Sequence, residues 1–175
     1  MMRRLCLVAL LLPMSCQPGD TFTVLQTART TLAAGKTPTQ LTLPDFTHFD
    51  AGGLHELATQ GISRAAISRA APLQAALRLV DSASTADLTF IKSAQIFATA
   101  SGQPRLLIAQ GGPFLANATF VGLNVMDVAL APYLQADDSS YEVEVSLSAL
   151  SRDTIIEVQV IVEVQASELR TGCSH

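Results

Sequence analysis

The stretch "SYEVEVSLSALSRDTIIEVQVIVEVQA", residues 140–166, decides the fold class. In its first half Tyr141, Val143, Val145, Leu147 and Ala149 alternate with Ser140, Glu142, Glu144, Ser146 and Ser148. In its second half Ile156, Val158, Val160, Val162 and Val164 alternate with Glu157, Gln159, Glu163 and Gln165. A two-residue period puts the apolar set on one face of a strand and the polar set on the other. The abundance of β-branched residues favours strand over helix, because their restricted χ1 suits a pleated surface. The polar link Ser151–Asp153 has hairpin length, so the two strands are expected to pair with each other.

Working outward, "DLTFIKSAQIFATA" places Leu88, Phe90, Ala94, Ile96 and Ala98 on one face, and "SGQP" supplies a turn before "RLLIAQ", which predicts a second hairpin. In "FVGLNVMDVALAPYL" the apolar phase changes from Val121, Leu123 and Val125 to Met126, Val128 and Leu130. Such a change predicts a bulge near Met126 or Asp127, where a strand bends between two packed sheets. "PLQAALRLV" reads as a strand, with Leu73, Ala75, Leu77 and Leu79 inward, while "GGLHELATQ" reads as a short helical cap ending at Gly61 and Ser63–Ser68 as a further short turn. "TFTVLQTA" and "TQLTLP" complete about seven or eight strands. The fold class is all-β: an antiparallel, immunoglobulin-like β-sandwich with a short helical cap.

Composition bounds function. Charged residues make up 15% of the chain and the hydrophobic set 49%, enough to bury a core in one domain. The net charge of −4, with Lys36 and Lys92 the only lysines and no basic run, gives nucleic-acid binding nothing to stand on.

The amino terminus, "MMRRLCLVALLLPMSCQPGDT", carries a positive pair, Arg3 and Arg4, before an apolar run from Leu5 to Leu12. Eight helical residues cover only about 12 Å, far short of a bilayer core of about 30 Å, so the layout is that of a signal peptide. Ser15 precedes Cys16 without an A-x-A-like pair, and the stretch Leu12–Cys16 resembles a bacterial lipobox, in which the cysteine becomes the lipidated first residue. Residues 1–15 are therefore read as signal peptide, 16–20 as tether, 21–168 as the sandwich domain and 169–175 as a tail. Cys173 leaves a second possibility open, a Cys16 to Cys173 disulfide in an oxidising compartment.

The order of "ADLTFIKSAQIF", "PRLLIA", "DVALAPYL" and "RDTIIEVQVIVEV", with landmarks Asp87, Phe90 and Tyr133, resembles a loose group of small bacterial envelope lipoproteins with an immunoglobulin-like β-sandwich. The resemblance spans roughly residues 54–166 and implies that fold and an envelope location; it carries no activity. Gln17, where inner-membrane lipoproteins often hold aspartate, leans the resemblance toward the outer membrane. The implied partners are the membrane, through the lipid anchor, and an envelope protein or glycan.

Candidate chemistry is sparse. Asp45, His48, Asp50, His55 and Glu56 bring imidazole and carboxylate together in "DFTHFDAGGLHE", the ligand types of a zinc-like ion, but His55-Glu56 lacks the second histidine of H-E-x-x-H. A loop with ordinary caps and turns accounts for the same residues, so no metal or other cofactor is assigned. No G-x-S-x-G elbow marks a nucleophilic serine, and Cys173 lies too near the chain's end to be positioned as one; catalytic residues are therefore not expected. Asp137 and Asp138 read as turn residues, Tyr133 as a tyrosine whose hydroxyl seeks a backbone partner, and Asn117-Ala-Thr as a sequon relevant only in a eukaryotic secretory route. Thermal unfolding separates the two readings of the histidine segment. A midpoint raised by divalent ions, and no longer raised in His48→Ala or His55→Ala, belongs to a metal site; the loop reading expects an ion-independent midpoint.

Overall fold

A computed structural model of the chain describes residues 21–35, 40–42, 49–50, 62–80 and 87–167. The described strands are β1 (Thr21–Leu32), β2 (Gln40–Thr42), β3 (Phe49–Asp50), β4 (Ile67–Leu79), β5 (Ile91–Thr99), β6 (Leu106–Gly111), β7 (Phe120–Gly122), β8 (Asn124–Val125), β9 (Ser140–Leu147) and β10 (Thr154–Ala166). One helical turn, α1 (Ala131–Leu134), precedes β9. The strands form two antiparallel sheets, a four-stranded one ordered β1-β10-β4-β7 and a six-stranded one ordered β2-β9-β5-β6-β8 with β3 also on β9. This is the all-β sandwich expected from the alternating patterns, with several strands of two or three residues added to the longer ones.

The alternating residues of β9 and β10 are buried as their period requires: Tyr141, Val143, Val145 and Leu147 from one strand, Ile156, Val158, Val160, Val162 and Val164 from the other, all in one core cluster. Their pairing differs from expectation. β9 bonds to β5, β2 and β3, whereas β10 bonds to β1 and β4, so the two strands face each other across the core instead of forming a hairpin. Residues 148–153 carry the chain across a gap of about 10 Å between sheets, well within their extended reach. Periodicity identifies the buried face of a strand, but both a hairpin and a face-to-face arch bury the same residues. The arch wins because it covers one apolar face with the other while leaving both edges of each strand to pair. The crossing is tied down by Ser148 N–H to the Phe90 carbonyl at 2.7 Å and by Ala34 N–H to the Asp153 carboxylate at 2.8 Å.

The expected β5–β6 hairpin is present, with Ala94 opposite Gly111 and Ala98 opposite Leu106. Its entrance departs from simple alternation: Leu88–Phe90 is a 3-10 turn capped by the Asp87 carboxylate, and Ile91 rather than Phe90 takes the fully buried place before Ala94. The change of phase in 120–130 is likewise real, with the less exposed positions odd through Val125 and even from Met126 to Leu130, although the passage between sheets falls earlier. The chain leaves the four-stranded sheet after β7 and enters the six-stranded one at β8, crossing at Leu123, whose N–H bonds the Ala75 carbonyl at 2.8 Å.

β4 begins at Ile67, inside the segment read as a helical turn, and only Arg64–Ala66 is a 3-10 turn. The β4–β10 register skips Leu73, between Pro72 opposite Val162 and Gln74 opposite Ile161. That bulge turns Leu73 outward to 56% exposure instead of the inward place its spacing suggested. Pro72, which has no N–H to give, sits at the irregularity. The expected cap at 54–61 lies outside the described residues.

Tyr133 on α1 is buried, and its hydroxyl donates to the Pro104 carbonyl at 2.6 Å, the backbone bond anticipated for it. The bond ties α1 to the β5–β6 connection, and the Asp138 carboxylate reinforces it by accepting from the Ser101 N–H at 3.0 Å and from the Ser101 hydroxyl. Truncating Ile156, fully buried on the central strand β10, is expected to lower stability by about 2–5 kcal/mol in Ile156→Ala. Leu73→Ala, at the exposed bulge, should stay within about 0.5 kcal/mol of the parent in the same urea-denaturation measurement.

Candidate functional site

The outer face of the six-stranded sheet follows from the residues that alternate with its core. Ala94 and Ile96 of β5, Ala109 of β6 and Val143 and Val145 of β9 point inward, which sends Ser93, Gln95, Phe97, Gln110, Glu142, Glu144 and Ser146 outward. Strand register then aligns them: Glu144 lies opposite Gln95, Gln95 opposite Gln110, and Gln110 opposite Asn124 of β8. A second, shorter row sets Ser146 opposite Ser93.

These rows floor a groove of about 530 Å³ lined by Ser93, Gln95, Gln110, Asn124 and Ser146. Gly111 and Gly112 also line it, without side chains. Gly112 has φ +117°, and a Cβ there would stand 2.4 Å from the Lys92 carbonyl oxygen, so the chain can pass this close to β5 only as glycine. The next row carries a charge cluster. Arg105 lies 3.5 Å from the Phe97 ring centroid, its Nε donates to Glu142 at 2.8 Å and an Nη to Glu144 at 2.6 Å. One guanidinium thus covers an aromatic face and neutralises the carboxylates nearest the groove.

No family model matches the chain, and comparison with curated proteins finds no match. The reading of the site therefore rests on its chemistry. Primary amides and hydroxyls each donate and accept hydrogen bonds but neither take nor release protons near neutral pH. The groove offers orientation and hydrogen bonding.

The residues singled out from sequence lie elsewhere. Asp45, His48, His55, Glu56, Cys16 and Cys173 are outside the described residues, and of Asp50 only the backbone is described, paired with Ser140. Among the described residues no group of three or more His, Cys, Asp or Glu side chains is placed to hold a metal ion. Asp137 and Asp138 diverge: Asp138 pins Ser101, while Asp137 is fully exposed 3.6 Å from Arg64. Asn117 has φ 64°, and its N–H bonds the Asp87 carboxylate at 2.8 Å. The amides of the groove were missed because each is an ordinary polar residue on an outward position; only the pairing register shows Gln95, Gln110 and Asn124 as one row.

The opposite face of the sandwich is charged. Glu157 of β10 lies between Arg29 of β1 and Arg78 of β4 in the register. Its carboxylate accepts from Arg29 Nε at 2.6 Å and from the Gln159 amide at 2.8 Å. Long neighbouring side chains cover it to 5% exposure although it stands on the outside of a sheet, whereas Arg29 remains 65% exposed. The Arg29 hydrogen bond, and then that of Gln159, hold the Glu157 pKa below its ordinary value of 4.5. Hydrogen bonds from Thr89 and Asn117 do the same for Asp87, and those from Ser101 for Asp138. A depressed folded-state pKa stabilises the fold above the ordinary value, and that contribution disappears as pH falls through the folded-state pKa. The thermal midpoint should accordingly fall with acidification below about pH 4 to 5. Glu157→Gln should flatten that fall at a cost near neutral pH of about 1 kcal/mol or less, since Arg29 is solvated.

Proposed function

We propose that this chain is a non-enzymatic interaction module of the bacterial cell envelope, exported through residues 1–15 and tethered by lipid at Cys16. The observation that carries this reading is the spacing between Cys16, which follows that segment, and the first described strand. β1 begins at Thr21, so a tether of five residues reaches at most about 18 Å. An anchor at Cys16 would hold the sandwich against the membrane surface, with its sheet faces and connecting loops as the contact surface.

A binding module is supported by the structural use of five described carboxylates. Asp87, Asp138, Glu157, Glu142 and Glu144 are each engaged by backbone or side-chain donors that hold turns or sheets together. The groove on the six-stranded sheet favours a ligand-binding module over a purely structural one. Gln17 supports an outer-membrane destination.

Intact mass of the protein from membrane and soluble fractions tests the anchor. The expected result is a membrane-bound species beginning at Cys16 with an acyl-sized increment, absent in Cys16→Ala. An unacylated soluble species would remove the lipoprotein reading, and a mass lower by the hydrogens lost in a Cys16 to Cys173 disulfide would replace the anchor with a covalent closure.

A further inference from the structure

We infer that the groove on the outer face of the six-stranded sheet binds a neutral, polyhydroxylated ligand, a saccharide chain laid across the strands. This deepens the binding role proposed above and rests on it. The cross-strand row Gln95–Gln110–Asn124 spans two strand spacings, about 10 Å, with one amide from each of β5, β6 and β8, and β9 adds Ser146 opposite Ser93. Gln95, Gln110 and Asn124 each present an NH₂ donor pair beside a carbonyl acceptor, which matches neighbouring hydroxyls that both donate and accept. Ser93 and Ser146 add hydroxyls of the same dual character beside that row.

Charge narrows the ligand class. Among the described lining residues the outward side chains are uncharged, and the nearby carboxylates of Glu142 and Glu144 are already paired with Arg105. A phosphate or carboxylate ligand would find no free cation in this lining, and a cationic ligand would have to displace Arg105. Apolar anchoring is missing too: Ala94 is the one apolar side chain among the described lining residues, and it is turned into the core. A lipid tail or an apolar peptide side chain would gain nothing by burial there. What remains is a water-soluble, uncharged ligand recognised through many directed hydrogen bonds.

The geometry gives such a ligand a fixed site. The polar side chains stand on paired strands, so their spacing is set by sheet hydrogen bonds and not by loop conformation. The Gly111–Gly112 segment packs directly against the β5 backbone at Lys92 and Ser93, which fixes the chain along that side of the groove. Phe97, two residues beyond Gln95 on the same face, is capped by Arg105, which bounds the groove at that row.

Titration of the ¹⁵N-labelled full chain, purified from whichever fraction holds it, tests the inference. The probes are cellotetraose, maltotetraose and chitotetraose, with tetragalacturonate and inorganic phosphate as charged controls, each at millimolar concentration. The expected result is that at least one neutral oligosaccharide shifts the side-chain amide signals of Gln95, Gln110 and Asn124, while the charged probes do not. Gln95→Ala/Gln110→Ala should weaken that binding about tenfold or more, the loss expected for two hydrogen-bonding groups. Its thermal midpoint verifies the fold, and Asn124→Ala on the short edge strand, expected to weaken binding several-fold, replaces it should the double variant unfold. No groove shift with any of the neutral probes overturns the inference, as does an equal response to tetragalacturonate or a response that survives the substitutions. Since the readout does not depend on the state of Cys16, a failed anchor and an empty groove give different results.

Discussion

The structure depends on one strand that is paired along both edges and buried along one face. β10 pairs with β1 along its length and with β4 along nearly all of it, and its Ile156, Val158, Val160, Val162 and Val164 supply the inner surface of the four-stranded sheet. Opposite them lie the inward residues of β9, Tyr141 to Leu147, in the same core cluster. Burial of these β-branched side chains is worth about 1.5 to 3 kcal/mol each, so this one interface outweighs any polar interaction in the molecule. Turns, caps and ion pairs adjust a frame that the two facing strands define.

Because both sheets face the same core, their outer surfaces are free to diverge. The four-stranded sheet carries Arg29, Glu157 and Arg78 in one row, a charged surface whose central carboxylate is enclosed by its neighbours. Amides and hydroxyls occupy the corresponding positions of the six-stranded sheet, with its charges gathered around Arg105. The same alternation that builds the core also fixes the height and spacing of whatever stands on the outside, which makes a sheet face a rigid platform for recognition.

Strand positions and buried faces were legible in the sequence because a period of two depends on local residues alone. The β5–β6 turn could be read from Ser101–Pro104, and the backbone partner of Tyr133 from the cost of burying a hydroxyl. Partner choice was not legible. Nothing in Ser148–Asp153 distinguishes an arch from a hairpin, because the competing arrangements bury the same side chains. Leu73 was misjudged for a related reason: one skipped residue in the register reverses which face it occupies. The groove was hidden for the same cause, since Gln95, Gln110 and Asn124 belong to three strands and become neighbours only through pairing.

The pairing of β1 with β10 also sets the order of events when the chain is made. Among the described strands β1 pairs with β10 alone, and its Thr21 lies opposite Gln165, so the first described strand must wait for the last before it can pair. Contacts of such sequence separation slow folding and prevent the sheet from closing on a growing chain. The amino-terminal strand thus stays unpaired through most of synthesis, and the four-stranded sheet is complete only once β10 has been made.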